Sequence, residues 1–123
     1  MARFFMVVAA LAGAIAVGLG AFGAHYFKDL LTHSRFDVYL TGIRYLMVHA
    51  VVLLVAARMY REAPSRLLSG ACLAFMTGMV AFSGSLVLLG LTGMRFFGAI
   101  APVGGTGYIF GWILLAVVAW RQE

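Results

Sequence analysis

Few side chains of this sequence could do chemistry, and most of those that could lie near the ends of apolar runs. They are two histidines, an arginine, a tyrosine and two serines: His25, Arg44, Tyr45, His49, Ser83 and Ser85. A pair of histidines can bind a haem iron, and one histidine can carry protons near neutral pH. A serine beside a histidine can act as a hydrolase nucleophile when a carboxylate orients the base. The hydrolase chemistry therefore requires a carboxylate beyond the six, and a zinc site would require further ligands.

Those further groups are scarce in the apolar runs. His25 and His49 should approach the same face from adjacent helices, so a bis-histidine haem site is conceivable, although no second pair supports it. Zinc is disfavoured because no cysteine or acidic residue stands near enough to complete four ligands. A serine hydrolase lacks its carboxylate. We therefore predict no catalytic residue, no metal site and no cofactor, and we expect His49 to hydrogen-bond Ser83 or Ser85 between helices.

The composition is that of a membrane protein. Of 123 residues, 64% are hydrophobic and 11% are charged, against roughly 25% charged in soluble domains. The net charge is +5, but the basic residues stand at the ends of apolar runs, where they contact lipid headgroups. The sequence has no cluster of basic residues that could contact the phosphates of a nucleic acid, so we expect no nucleic-acid partner. The single cysteine, Cys72, cannot form an intramolecular disulfide.

Four apolar runs, each long enough to cross a bilayer, predict the architecture. We expect an all-α integral membrane bundle in one domain, residues 1–123, with helices at about 4–24, 35–60, 66–91 and 99–120. The first run follows Arg3 as a secretory signal would, but its apolar stretch is too long for one. An interfacial segment should precede the second helix, which Ser34 and Asp37 would cap. Pro102 should stand in the first turn of the fourth helix.

Small residues recur along the predicted helices at spacings that favour close helix packing. Ala12, Ala16, Gly20 and Ala24 follow one another every four residues, and a GxxxG step occurs in the fourth run. In lipid, small residues let helix backbones approach closely. The residues predicted to pack helices are Ala16, Gly20, Gly23, Gly78, Gly84, Gly104, Gly107 and Gly111.

The charges give a weak prediction of orientation. Four spans place both termini on one membrane side together with five arginines, whereas four basic residues fall on the other side. The positive-inside rule then places the termini in the cytoplasm by a small margin. On that topology the six polar residues fall in the outer half of the membrane, and the inner half is almost wholly apolar. This pattern permits a crevice that opens outward and argues against a polar path across the bilayer.

Four stretches together resemble a known family. They are Gly-Ala-Phe-Gly-Ala-His at 20–25, Arg-Tyr at 44–45 with His-Ala at 49–50, Phe-Ser-Gly-Ser-Leu at 82–86 and Pro-Val-Gly-Gly at 102–105. In this order and spacing they resemble the small four-helix membrane proteins of the YgdD/YwdK type. The resemblance implies an inner-membrane protein, a domain of unknown function with no established activity. Tyr26, Leu46 and Val87 depart from the glycine, glutamine and tyrosine usual in that family, which removes polar groups from the predicted crevice.

Two classes of function fit these observations. The first is a non-enzymatic accessory or interaction subunit in the lipid bilayer, which packs against a membrane-protein partner or against itself. Abundant small-residue faces and minimal extramembrane mass favour it. The alternative is a small transporter or channel, but Asp29, Asp37, Glu62 and Glu123 all lie outside the predicted spans. A histidine could carry protons, yet the apolar inner half offers no relay.

Overall fold

The computed structural model describes residues 1–122, which form four long helices. They are α1 (Ala2–Leu30), α2 (His33–Glu62), α3 (Arg66–Thr92) and α4 (Arg95–Arg121). All four are long and apolar enough to cross a membrane. The prediction of an all-α bundle with four candidate membrane spans is therefore confirmed, while Glu123 lies outside the described residues.

The helices pack in chain order. The close backbone contacts join α1 to α2, α2 to α3 and α3 to α4. α2 and α3 accordingly bury a larger share of their apolar windows than α1 and α4 do. Two short segments have π-helical geometry, Gly23–Phe27 in α1 and Met79–Gly84 in α3. The inner pair of helices thus forms the centre of the bundle, and the outer pair is peripheral.

The face that α1 buries against α2 differs from the predicted small-residue stripe. Phe5, Ala9, Ala12 and Ala16 are buried, and the Phe5 ring packs edge-on against Tyr60 at 5.8 Å between centroids. Among the described residues, no atom outside the adjacent helical turns lies within 4 Å of a Cβ built on Gly20. A helix has 3.6 residues per turn, so residues spaced strictly by four move gradually around it. Residues spaced alternately by four and three stay on one face, as Phe5, Ala9, Ala12 and Ala16 do.

α1 also ends later than predicted. It continues through the π-helical segment to Leu30, so only Leu31 and Thr32 separate it from α2. The hydroxyl of Tyr39 donates to the carbonyl oxygen of Leu19, just before this segment. A Cβ on Gly23 would lie 2.8 Å from the Tyr39 ring. Glycine at this position therefore allows α2 to close on the end of α1.

The predicted cap of α2 is wrong. The helix begins at His33, and the Thr32 side chain accepts from the Arg35 backbone N–H at 3.3 Å. Ser34 thus lies inside the helix, because threonine two residues earlier supplies the capping oxygen. The side chain of Arg35 reaches α3, where Nε donates to the Gly90 carbonyl at 2.9 Å. A cation at a helix C-terminus is favoured by the unpaired carbonyl groups there.

The predicted place of Pro102 in a first helical turn is also wrong. α4 begins at Arg95, four residues before the predicted start, so Pro102 lies inside the helix. Proline has no N–H, and the helical hydrogen bond to the carbonyl of Gly98 cannot form. Pro102 is exposed on the helix surface, where its ring does not obstruct packing against α3.

Glycines set the distance between α3 and α4. A Cβ on Gly104 would overlap the backbone of Ala81 and Phe82, and one on Gly78 would overlap the Tyr108 ring. At Gly111 the added carbon would lie 2.7 Å from the Phe75 ring, and at Gly107 it would lie 3.1 Å from the Ala74 carbonyl. Gly84 instead has only its own helix within 4 Å.

We expect Gly104→Ala to destabilise the bundle, because the new methyl group would collide with backbone atoms that cannot move independently. Overpacking of this kind costs about 1–3 kcal/mol. The free energy of unfolding in detergent, followed by circular dichroism during a denaturant titration, measures the effect. Gly20→Ala is the matched control, since no atom of residues 1–122 outside the adjacent helical turns lies within 4 Å of a Cβ there. Equal stability of the two variants would contradict this account of α3–α4 packing.

Candidate functional site

An aromatic layer surrounds His49 near the middle of the bundle. His49 is 4% exposed and lies roughly 24 Å along α2 from His33, at 1.5 Å per residue. The ring of Tyr108 in α4 stacks on it, with 3.7 Å between centroids and 14° between planes. Phe75 of α3 and Trp112 of α4 pack against the same imidazole at 5.7 and 6.0 Å. The histidine is thus enclosed by side chains from three helices.

Both ring nitrogens of His49 are hydrogen-bonded, and the partners determine the tautomer. Trp112 Nε1–H donates to His49 Nε2 at 3.0 Å. An indole nitrogen is only a donor, so Nε2 must accept and the proton resides on Nδ1. Nδ1–H then donates to the Tyr45 carbonyl at 2.7 Å. His49 is therefore a neutral imidazole that links α2 to α4.

The prediction that a serine accepts from His49 is wrong. Ser83 is fully buried, and its hydroxyl bonds that of Tyr108 at 2.7 Å. Tyr108, which stacks on His49, stands between the two predicted partners. The correct partner is the Trp112 indole, which was not among the predicted site residues.

Regular spacing on two helices positions the layer. Tyr45 and His49 are four residues apart in α2, as Tyr108 and Trp112 are in α4, so each pair shares one helix face. Room for these rings comes from the glycines of α3 and α4 described above, and Ser83 lies in the π-helical segment of α3. The sequence did contain a signal for this layer: the aromatic residues Tyr108 and Trp112 are four residues apart, like Tyr45 and His49.

The structure gathers part of the predicted polar cluster. Tyr45, His49 and Ser83 belong to the aromatic layer, whereas His25 and Arg44 are exposed outside it, and Ser85 is buried without joining its hydrogen bonds. His25 and His49 are not brought together, because in antiparallel neighbours their positions differ by roughly 16 Å along the axes. The layer also lies near the helix midpoints rather than at the outer rim. Within residues 1–122, no three potential metal ligands cluster.

A crevice of about 270 Å³ opens beside the layer, between α2 and α4. Tyr45, Ile109 and Trp112 at its mouth are 46%, 62% and 47% exposed. These residues stand at mid-helix, so the crevice faces sideways into the lipid. It is lined by Tyr45, His49, Phe82, Gly105, Tyr108, Ile109 and Trp112.

We expect Trp112→Phe to destabilise the protein, because the buried Nε2 of His49 loses its only donor in the layer. Hydrogen bonds between membrane helices average about 0.6 kcal/mol and reach about 1.7 kcal/mol. A double-mutant cycle with His49→Phe, read as free energy of unfolding, isolates the coupling between the two side chains. Trp120→Phe is the control, since that indole is 82% exposed at the end of α4. If the effects of Trp112→Phe and His49→Phe on the free energy of unfolding were additive, the hydrogen bond would contribute nothing to stability, contrary to our expectation.

Comparisons with known proteins agree on one family. A family model described as a protein of unknown function (DUF423) matches residues 19–105. The chain is 37% identical to the membrane protein YwdK of Bacillus subtilis, over 95% of this chain and 96% of that one. It is 34% identical to the inner membrane protein YgdD of Escherichia coli, over 98% and 92% of the two chains. No solved structure matches. The chain therefore belongs to the DUF423 (UPF0382) family, multi-pass proteins of the inner or plasma membrane whose function is unknown.

Proposed function

We propose that the protein is a non-enzymatic interaction subunit that binds another membrane protein, or a second copy of itself, through α1. The observation that carries the proposal is that α1 has one close neighbour in the bundle, α2. A helix held on one side leaves its other sides to lipid or to a partner. The character of those free sides favours a partner.

The side of α1 that faces away from α2 carries small residues among larger apolar ones such as Val7 and Leu11. Ala10, Ala14 and Ala21 are exposed there, and a Cβ on Gly13 or Gly18 would have open space around it. In lipid, helix association is driven by packing, and small residues allow the closest backbone approach. Gly78, Gly104, Gly107 and Gly111 of α3 and α4 are already used inside the bundle, whereas Gly13 and Gly18 of α1 remain free to contact a partner.

An apolar groove lies on another side of α1, toward α3. It has a volume of about 410 Å³ and runs between α1 and α3, with Leu46 of α2 also contributing to its wall. Val8, Ala12 and Leu19 line one side, while Met79 and Val87 line the other. Large side chains of a partner helix seated on α1 could enter the groove. The small-residue face and the groove are therefore two apolar surfaces of α1 that a partner can cover.

The polar groups of the spans support a non-enzymatic role over catalysis or transport. Both nitrogens of His49 and the hydroxyls of Ser83 and Tyr108 are bonded within the layer. Asp29, Asp37 and Glu62 lie within a few residues of helix ends, away from the crevice. Proton-coupled transport would need an ionisable group free to exchange protons within the span. The buried polar groups instead hold α2, α3 and α4 together.

Photo-crosslinking in native membranes tests the α1 interface. A benzophenone attached at Ala21→Cys should capture a protein, because the proposal seats a partner helix there. Val103→Cys is the matched control, since Val103 is 69% exposed and lies at nearly the same depth in α4 as Ala21 does in α1. Cys72 is fully buried and should not react.

The product distinguishes the two forms of the proposal. An adduct with a different protein identifies an accessory subunit, and an adduct of twice the chain mass identifies self-association. Capture of no protein at Ala21→Cys, or equal capture at Val103→Cys, would overturn the α1 interface.

We also propose that both termini face the cytoplasm, on the basis of five arginines at that end against four basic residues at the other. A C-terminal green fluorescent protein should then fluoresce, and a C-terminal alkaline phosphatase should be inactive. Phosphatase inserted in the turn between Thr92 and Arg95, at the opposite end of the bundle, serves as the positive control. An active C-terminal phosphatase would reverse the assignment.

A further inference from the structure

The lateral crevice between α2 and α4 has the properties of a binding site and lies on a different surface from the α1 face. Backbone contacts between α2 and α4 are sparse, and aromatic side chains bridge the gap. Its exposed mouth lies at mid-helix, where the hydrocarbon core would surround it. A molecule dissolved in the membrane could therefore enter without crossing a headgroup layer.

The size and walls of the crevice suit one substituted aromatic ring. Its volume of about 270 Å³ exceeds the roughly 150 Å³ of an engineered protein cavity that binds benzene. Tyr45 and Phe82 pack edge-on within it at 5.0 Å between centroids, which provides both faces and edges for a further ring. Gly105 keeps the space open, since a Cβ there would lie 3.3 Å from the Phe82 ring.

The hydrogen bonding of His49 adds a chemical requirement. Because Nδ1–H is committed to the Tyr45 carbonyl, Nε2 can only accept. That acceptor is buried, and leaving it unpaired would be costly. Its present donor, the Trp112 indole, belongs to a side chain that is 47% exposed at the crevice mouth. An incoming O–H group could insert into this bond, since its hydrogen can donate to Nε2 while its oxygen accepts from the displaced indole N–H.

We propose that the crevice binds the phenol or hydroquinone ring of a membrane-dissolved lipid. The Trp112 side chain shifts outward, the ligand hydroxyl donates to His49 Nε2 and accepts from the indole N–H, and the ring packs against the aromatic walls. No donor or acceptor of the two side chains is left unpaired, so affinity comes from ring packing in the crevice. The site discriminates by the donor, because a ring without a hydroxyl cannot insert into the bond between the indole and Nε2.

Fluorescence of the purified protein tests this proposal. The chain has two tryptophans, so Trp120→Phe leaves Trp112 as the only reporter, at the mouth of the crevice. Titration with an alkyl-substituted p-hydroquinone in detergent should shift or quench this emission saturably. The di-O-methyl ether of the same compound is the matched ligand, with the same ring and no donor. We expect it to bind at least tenfold more weakly.

Two variants, made in the Trp120→Phe protein, test separately the contribution of the His49 acceptor and that of the crevice volume. His49→Phe keeps an aromatic ring and removes the acceptor, and it should weaken hydroquinone binding about tenfold. Gly105→Val fills the crevice without touching a hydrogen bond and should abolish binding, whereas Gly18→Val, in open space on α1, should not. Equal binding of the hydroquinone and its ether, or unchanged binding by Gly105→Val, would overturn the proposal. A crosslink at α1, or its absence, does not bear on these outcomes.

Discussion

The exclusion of water from the bilayer core is the constraint on which this structure depends. A polar side chain in a span has to find its hydrogen-bond partner within the protein. His49 does so on both ring nitrogens, with its own helix on one side and Trp112 on the other. α2 and α4 have few close backbone contacts. The Trp112–His49 hydrogen bond and the stacked Tyr108 ring therefore hold these two helices together. The same constraint keeps the histidine in one neutral tautomer.

Glycine makes the aromatic layer possible, because large rings at the centre of a small bundle require space from the opposite backbone. Gly78 accommodates Tyr108 and Gly111 accommodates Phe75, while Gly104 brings α4 against the α3 backbone. Small and large residues are thus complementary across one interface. Of the glycines predicted to pack helices, Gly78, Gly104 and Gly111 do so inside the bundle, whereas Gly20 and Gly84 contact no neighbouring helix. Gly13, Gly18 and Gly20 of α1 instead have open space around a Cβ.

Two lateral surfaces follow from this packing, and they differ in chemistry. The α1 face is apolar and includes glycines and alanines, which suits a second helix. The crevice between α2 and α4 is aromatic and holds one buried acceptor, which suits a small ring with a donor. Both open toward lipid, because the helix ends carry most of the charge and the extramembrane turns are short. Membership of the family establishes the compartment, and these surfaces are where a role in it would reside.

The sequence by itself determined the number of spans, their approximate limits and the family, because an apolar run long enough to cross lipid has to be helical there. Only the tertiary structure decided which side chains meet. One residue along a helix turns the side chain by about 100° and shifts it by 1.5 Å, so the rotation and offset of neighbouring helices select each partner. His49 therefore bonds Trp112 rather than Ser83, and Thr32 rather than Ser34 caps α2. Those relative placements arise from glycine and ring contacts spread over three helices, which no local spacing encodes.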